Sequence, residues 1–240
     1  MDSILAPYRS HTGLQNIGLY TSPHLVAVRE RVKINSKPIS ESLFTRYFFE
    51  VWDALEASAH ATGADPSHKP VYFRFLTLMS FQGFLNERVE AAIYEVGVGG
   101  ELDSTNVIPR PVVTGITTLG IDHIATLGET IEQIAWHKAG IFKIGCPAFS
   151  VEQLPGAAEV VEKRVNERGV HLHVVGIHPG LGEAKLSPNA DFQRQNASLA
   201  IFSAQEMIVP YGLPSIVKDA NLPNSVVMSF KRCLGLVGLR

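Results

Sequence analysis

Cysteine is scarce in this chain: Cys146 and Cys233 are the only two among 240 residues, and they form no C-x-x-C pair. That excludes a disulfide framework and a cysteine-ligated zinc site, and it suits a reducing compartment. Charge of one sign is lacking too. The chain carries 21 Lys and Arg against 23 Asp and Glu, for a net charge of −2. Such a balance gives no electrostatic drive toward nucleic acid or a membrane surface. No apolar run reaches the roughly 20 residues of a membrane span. The opening MDSILAPYRS has neither the pattern of a signal peptide nor that of a transit peptide. Internal repeats and low-complexity tracts are absent. So are the G-x-x-x-x-G-K-[ST] phosphate loop, the G-x-S-x-G elbow and H-E-x-x-H. GVGGEL (97–102) does not fit G-x-G-x-x-G, so its glycines imply a tight turn and close approach to a ligand.

What remains is ample for a core: 45% of residues are hydrophobic and 18% charged. Asn16–Tyr20 reads as a short strand ending at Thr21-Ser22-Pro23-His24, and Val32–Ile34 as a second apolar stretch before a turn at 35–38. Ser40 can cap a helix whose apolar positions Phe44, Tyr47, Phe48, Val51, Trp52 and Leu55 recur every three or four residues. Phe73–Leu85 is too long and apolar for a strand and reads as a buried helix. Strands follow at 89–95, 111–118, 146–150 and 170–175. Helices are expected after the capping box Thr130/Gln133, at 155–168 and at 192–208. Strands alternating with helices predict an α/β fold with a mostly parallel sheet and helices on both faces. Ligands gather at the carboxyl ends of such strands.

Three polar residues fall at those ends: Ser22, Glu95 and His123. Each alone fits an ordinary surface role. Together, a carboxylate, an imidazole and a hydroxyl suit a hard cation that keeps several waters, which favours magnesium over zinc. Lys138 stands on the same helical face as Ile131, Ile134 and Ala135. A lysine there either snorkels at the helix end or is desolvated, titrating low and reactive as a neutral amine.

Longer stretches carry more. GLYTSPHL (18–25), VRERVKIN (28–35), YFRFLTLMSF (72–81), YEVGVGGELDSTN (94–106), LGIDHIATLGETIEQIAWHKAGIFK (119–143) and FQRQNASLA (192–200) closely resemble the folylpolyglutamate synthase family, eukaryotic type, within the Mur ligases. The resemblance covers about residues 1–208. It implies an ATP-dependent ligase that phosphorylates the glutamyl carboxylate of a tetrahydrofolate and joins L-glutamate to it. It implies magnesium held by Ser22, Glu95 and His123, with a monovalent cation also allowed. Lys138 matches the lysine that the family carbamoylates. His24 and Arg31 match positions near the folate; Gln193 and Asn196 match positions near the nucleotide, with Phe192 where the family has histidine.

The resemblance further implies a Mur-ligase-like central domain over 1–208 and a linker over 209–240, in a monomeric cytoplasmic protein, with a mitochondrial form allowed. No nucleic acid or membrane partner is expected. The family's phosphate loop and C-terminal domain are not among these residues, so the expectation is a truncated chain, inactive alone. Alternatives are a catalytically silent fragment that binds folate or a partner, and a dihydrofolate synthase or other Mur-type amide ligase.

Overall fold

The computed structural model describes residues 1–9, 14–182, 186 and 190–209. The expected linker over 209–240 lies outside them apart from Val209. A short helix α1 (Asp2–Leu5) opens the chain. The chain forms two compact units, dividing at Gly97 and Val98, inside the stretch expected to form one domain, and Ser3–Leu5 of α1 belong to the second.

The first unit, from Leu14 to Gly97, holds strands β1 (Ile17–Tyr20), β2 (Val32–Ile34), β3 (Lys37–Pro38) and β4 (Ala91–Tyr94), with helices α2 (Glu41–Thr62) and α3 (Tyr72–Asn86). The sheet order is β3-β2-β1-β4. β1 runs parallel to β4, with Ile17 opposite Ala91 and Tyr20 opposite Tyr94. It runs antiparallel to β2. The expected turn at 35–38 is shorter than its sequence suggests. Asn35 and Ser36 alone make it, at φ 53° and 66°, and Lys37–Pro38 already pair with β2. Two successive positive φ values match the twist of a hairpin, so the chain reverses in two residues. Ser40 caps α2 by accepting from the Leu43 amide. The apolar faces of α2 and α3 meet the sheet through Tyr20, Val32, Tyr47, Phe75, Leu76 and Met79.

The second unit carries a wholly parallel sheet, β5 (Thr114–Ile116), β6 (Ala148–Val151) and β7 (Leu172–Val175), in the order β5-β6-β7. Its helices are α4 (Ile124–Leu127), α5 (Ile131–Lys138), α6 (Pro155–Glu167) and α7 (Asp191–Ile208). The expected Thr130/Gln133 capping box opens α5. All four residues of β6 are buried, as a strand covered on both faces requires. One face, with Ile116 and Ala148, packs on Ala135 of α5 and Ala157 and Val161 of α6. The other, with Phe149 and Val151, packs on Leu199 of α7. The expected layering, helices on both faces of parallel strands, is thus present here. The first unit adds the antiparallel hairpin.

Candidate active site

In the first unit the carboxyl ends of β1 and β4 bring two of the expected residues together. The Glu95 amide donates to the Tyr20 carbonyl at 2.9 Å, continuing the strand pairing by one step. The Ser22 amide then donates to Glu95 Oε2 at 2.9 Å. Crowding by the surrounding protein raises the Glu95 carboxyl above its ordinary range, and the Ser22 amide opposes the rise. The Glu95 side chain still reaches solvent. Ser22 carries a hydroxyl and Glu95 a crowded carboxylate, the hard oxygen donors that magnesium takes, and a nearby cation would offset the crowding. The donor chemistry therefore fits.

The loop after β1 is organised by one acid. Glu30 accepts from the amides of Leu25 (3.0 Å), Val26 (3.3 Å) and Ala27 (2.8 Å). Those bonds, led by Ala27, hold its carboxyl below the usual range. The loop delivers His24 to Arg31: Arg31 Nε donates to His24 Nδ1 at 3.0 Å. An arginine cannot accept, so the His24 proton sits on Nε2. Arg31 is buried, and its guanidinium lies over the Tyr72 ring at 5.4 Å. His24 and Arg31, expected near one ligand, are thus direct neighbours.

The second unit holds the other expected residues. His123 caps α4 in the left-handed region, at φ 50° and ψ 41°. Its amide donates to Asp122 Oδ1 at 2.7 Å, and its Nε2 lies 3.4 Å from Asp122 Oδ2. Lys138 closes α5, half-buried beside the buried Ile134 and Ala135. Burial lowers its ammonium below the usual lysine range, and the negative charge of Asp122 opposes that. The desolvated reading is the one this geometry favours. Gln193 is buried in the first turn of α7 and Asn196 half-buried one turn on. Their neighbour Gln195 accepts from Thr118 at 3.0 Å, tying α7 to the end of β5. Among the described residues no group of three or more His, Cys, Asp or Glu side chains is arranged to hold a metal ion.

The glycines after Glu95 give room for close approach by the protein itself. A side chain on Gly97 would strike the Phe73 ring within the first unit. On Gly100 it would stand 2.7 Å from the His137 carbonyl and 3.0 Å from that of Lys138. The turn lies flat on the end of α5, and the Glu101 amide donates to His137 at 2.7 Å. Behind it, Glu101 accepts from both Arg164 and Arg168. Sequence reasoning missed this cluster, along with Asp122. The only available signal for Asp122 was its place beside His123 in GIDH.

No protein-family model matches the chain. Over 207 residues, 85% of this chain and 39% of the relative, it is 56% identical to the folylpolyglutamate synthase of Neurospora crassa. The chain is a homologue of the folylpolyglutamate synthases. It spans about two fifths of the length of that curated relative. Solved structures agree. The apo form of L. casei FPGS superimposes with a TM-score of 0.79 at 28% identity, over 95% of this chain and 58% of that one. An FPGS–AMPPCP–folate complex does so with a TM-score of 0.78 at 28% identity, over 95% and 58%. This folylpolyglutamate synthase homologue thus shares the Mur-ligase-like α/β fold of those structures. No helix among its described residues is long and apolar enough to cross a membrane.

Proposed function

We propose that these residues serve an ATP-dependent ligase that lengthens the glutamyl tail of a tetrahydrofolate by one glutamate. The observation that carries this reading is the 56% identity over 85% of the chain to a folylpolyglutamate synthase. The similar complex with folate and AMPPCP, an ATP analogue, supports the two substrates. In this reading a tail carboxylate oxygen attacks the γ-phosphorus and ADP leaves. The amine of the incoming glutamate then attacks the acyl carbon, phosphate departs, and the amine loses a proton to give the amide. Both steps demand alignment and charge neutralisation more than covalent help.

Residues 1–208 are assigned to ATP and folate binding. Ser22, Glu95 and His123 are assigned to magnesium, whose contribution when bound is to offset charge on phosphate oxygens. His24 and Arg31 are assigned to the folate, and Gln193 and Asn196 to the nucleotide. Lys138 is assigned a carbamate: its neutral Nζ forms a C–N bond to carbon dioxide and releases a proton, leaving an anion where the ammonium stood. The low-titrating, half-buried amine supports that assignment.

The test is ATP-dependent addition of labelled glutamate to tetrahydrofolate, run on this chain and on the Neurospora crassa relative. Addition by both, lost in this chain with Glu95→Gln, supports the reading. Addition by the relative alone, with folate binding to this chain in calorimetry, supports a binding fragment without turnover. Failure of both to use a folate, with turnover of another acid, would replace the substrate.

A further inference from the structure

Two histidines outside the ligation residues face each other at the edge of the parallel sheet. His171 leads into β7 and His173 lies within it. They stand two residues apart on near-extended backbone, so their side chains share a face. His171 Nδ1 and His173 Nε2 are 3.2 Å apart, and the ring centroids 4.5 Å. Among the described residues β7 is an end strand of its sheet, and both histidines are exposed, so ions in solution reach them. The His173 ring is held in place from behind, stacked on Phe149 at 5.2 Å and 28°.

We propose that His171 and His173 form a two-ligand site for a divalent transition-metal ion of the zinc or nickel type. An ion bonded to two imidazoles at about 2.0–2.1 Å, with a near-tetrahedral angle between the bonds, needs nitrogens roughly 3.3 Å apart. The pair already has that spacing. Without an ion, one ring nitrogen donates its hydrogen to the other. With an ion, both lone pairs turn to it and the shared proton moves to the far ring nitrogen or to water. Little reorganisation is needed, because Phe149 fixes one ring and the strand fixes the spacing. Imidazole selects borderline ions over magnesium, which takes oxygen donors. The site is therefore chemically distinct from the one assigned to Ser22, Glu95 and His123. It has only two protein ligands, fewer than a closed structural zinc site, so water fills the other positions.

Calorimetric titration of this chain with Zn2+, and separately Ni2+, in a non-chelating buffer should show one saturable site that excess Mg2+ leaves untouched. His171→Gln should weaken it at least about tenfold. His173→Phe, which keeps a ring on Phe149, should do the same, and the double variant should lose the site. Melting by circular dichroism without metal should be alike for all four proteins, since both side chains are exposed. The chain has nine histidines. Equal affinity in the double variant would move the ion to other histidines and overturn the proposal, as would no binding by the parent chain.

Discussion

Glu101 and Arg168 close the end of helix α5 together. Arg168 Nη2 donates to Glu101 Oε2 at 2.6 Å, while its Nη1 donates to the carbonyls of Gly140 and Phe142, both at 3.0 Å. Arg164 brings a second guanidinium to the same carboxylate oxygen and lies over the Trp136 ring at 4.3 Å. Asn106 adds amide bonds to the carbonyls of Glu101 and Gly140, both at 3.1 Å. One acid thus ties the glycine turn, α6 and the residues after Lys138 into a single block.

Removing that charge should be costly. The side chains of Glu101, Arg164 and Arg168 are 24%, 11% and 25% exposed, so Glu101→Gln leaves two poorly solvated guanidiniums facing each other. The expected loss is about 3 kcal/mol of stability. Urea unfolding of the variant against the parent measures it; an unchanged midpoint would show that the cluster contributes nothing net.

Gly140 faces the same acid from the other side. A Cβ there would stand 2.5 Å from Glu101 Cα. Backbone that close cannot swing away as a flexible side chain would, so Gly140→Ala should cost about 1–3 kcal/mol. The two losses should not add, because Glu101→Gln loosens the turn that the new methyl group strikes. A double-mutant cycle giving simple additivity would separate the two contacts.

This cluster marks the limit of what the residues disclose before folding. Helix α2 is legible because apolar spacing records which face is buried, α3 because its apolar run is too long for a strand, and the start of α5 because Thr130 and Gln133 cap it locally. Ser22 and Glu95 are legible as strand-end residues, since the alternation of strands and helices puts such ends at a ligand face. Arg164 and Arg168 are not. They lie 63 and 67 residues from Glu101, and charges spaced four apart on a helix look like a solvated face. Close approach at Gly97 and Gly100 is legible in kind, because glycine admits it. What approaches is set by tertiary packing, and here it is Phe73 and the end of α5.

Lys138 should show its burial as reactivity. Desolvation lowers its ammonium, so a larger neutral fraction exists at any given pH than for an exposed lysine. The same lysine in the urea-unfolded chain is the reference. Competitive acylation across pH, read by mass spectrometry, should give Lys138 a lower midpoint folded than unfolded. Asp122 opposes the shift, so Asp122→Asn should move the folded midpoint further down. Equal midpoints in the two states would remove the physical support for a carbamate at Lys138.

His178 should make stability fall in mild acid. The residue is 4% exposed, and its ring accepts from the Gly180 amide at Nδ1 (3.0 Å) and packs edge-on against Phe202. Burial lowers its pKa below the usual histidine value. Above about pH 6.5 the ring is neutral in both the folded and the unfolded chain, so it contributes no pH dependence there. As the pH drops through about 6.5, the unfolded chain takes up a proton that the folded chain refuses. Stability then falls, by up to about 1.4 kcal/mol per pH unit, until the lower folded value is passed. His178→Asn keeps a side-chain acceptor for the Gly180 amide and removes the titration. Between pH 7.5 and 5.5 the parent should therefore lose more stability than the variant in urea unfolding. Parallel losses would mean that the buried ring takes its proton as readily as an unfolded one, and that its bond to Gly180 does not hold the neutral form.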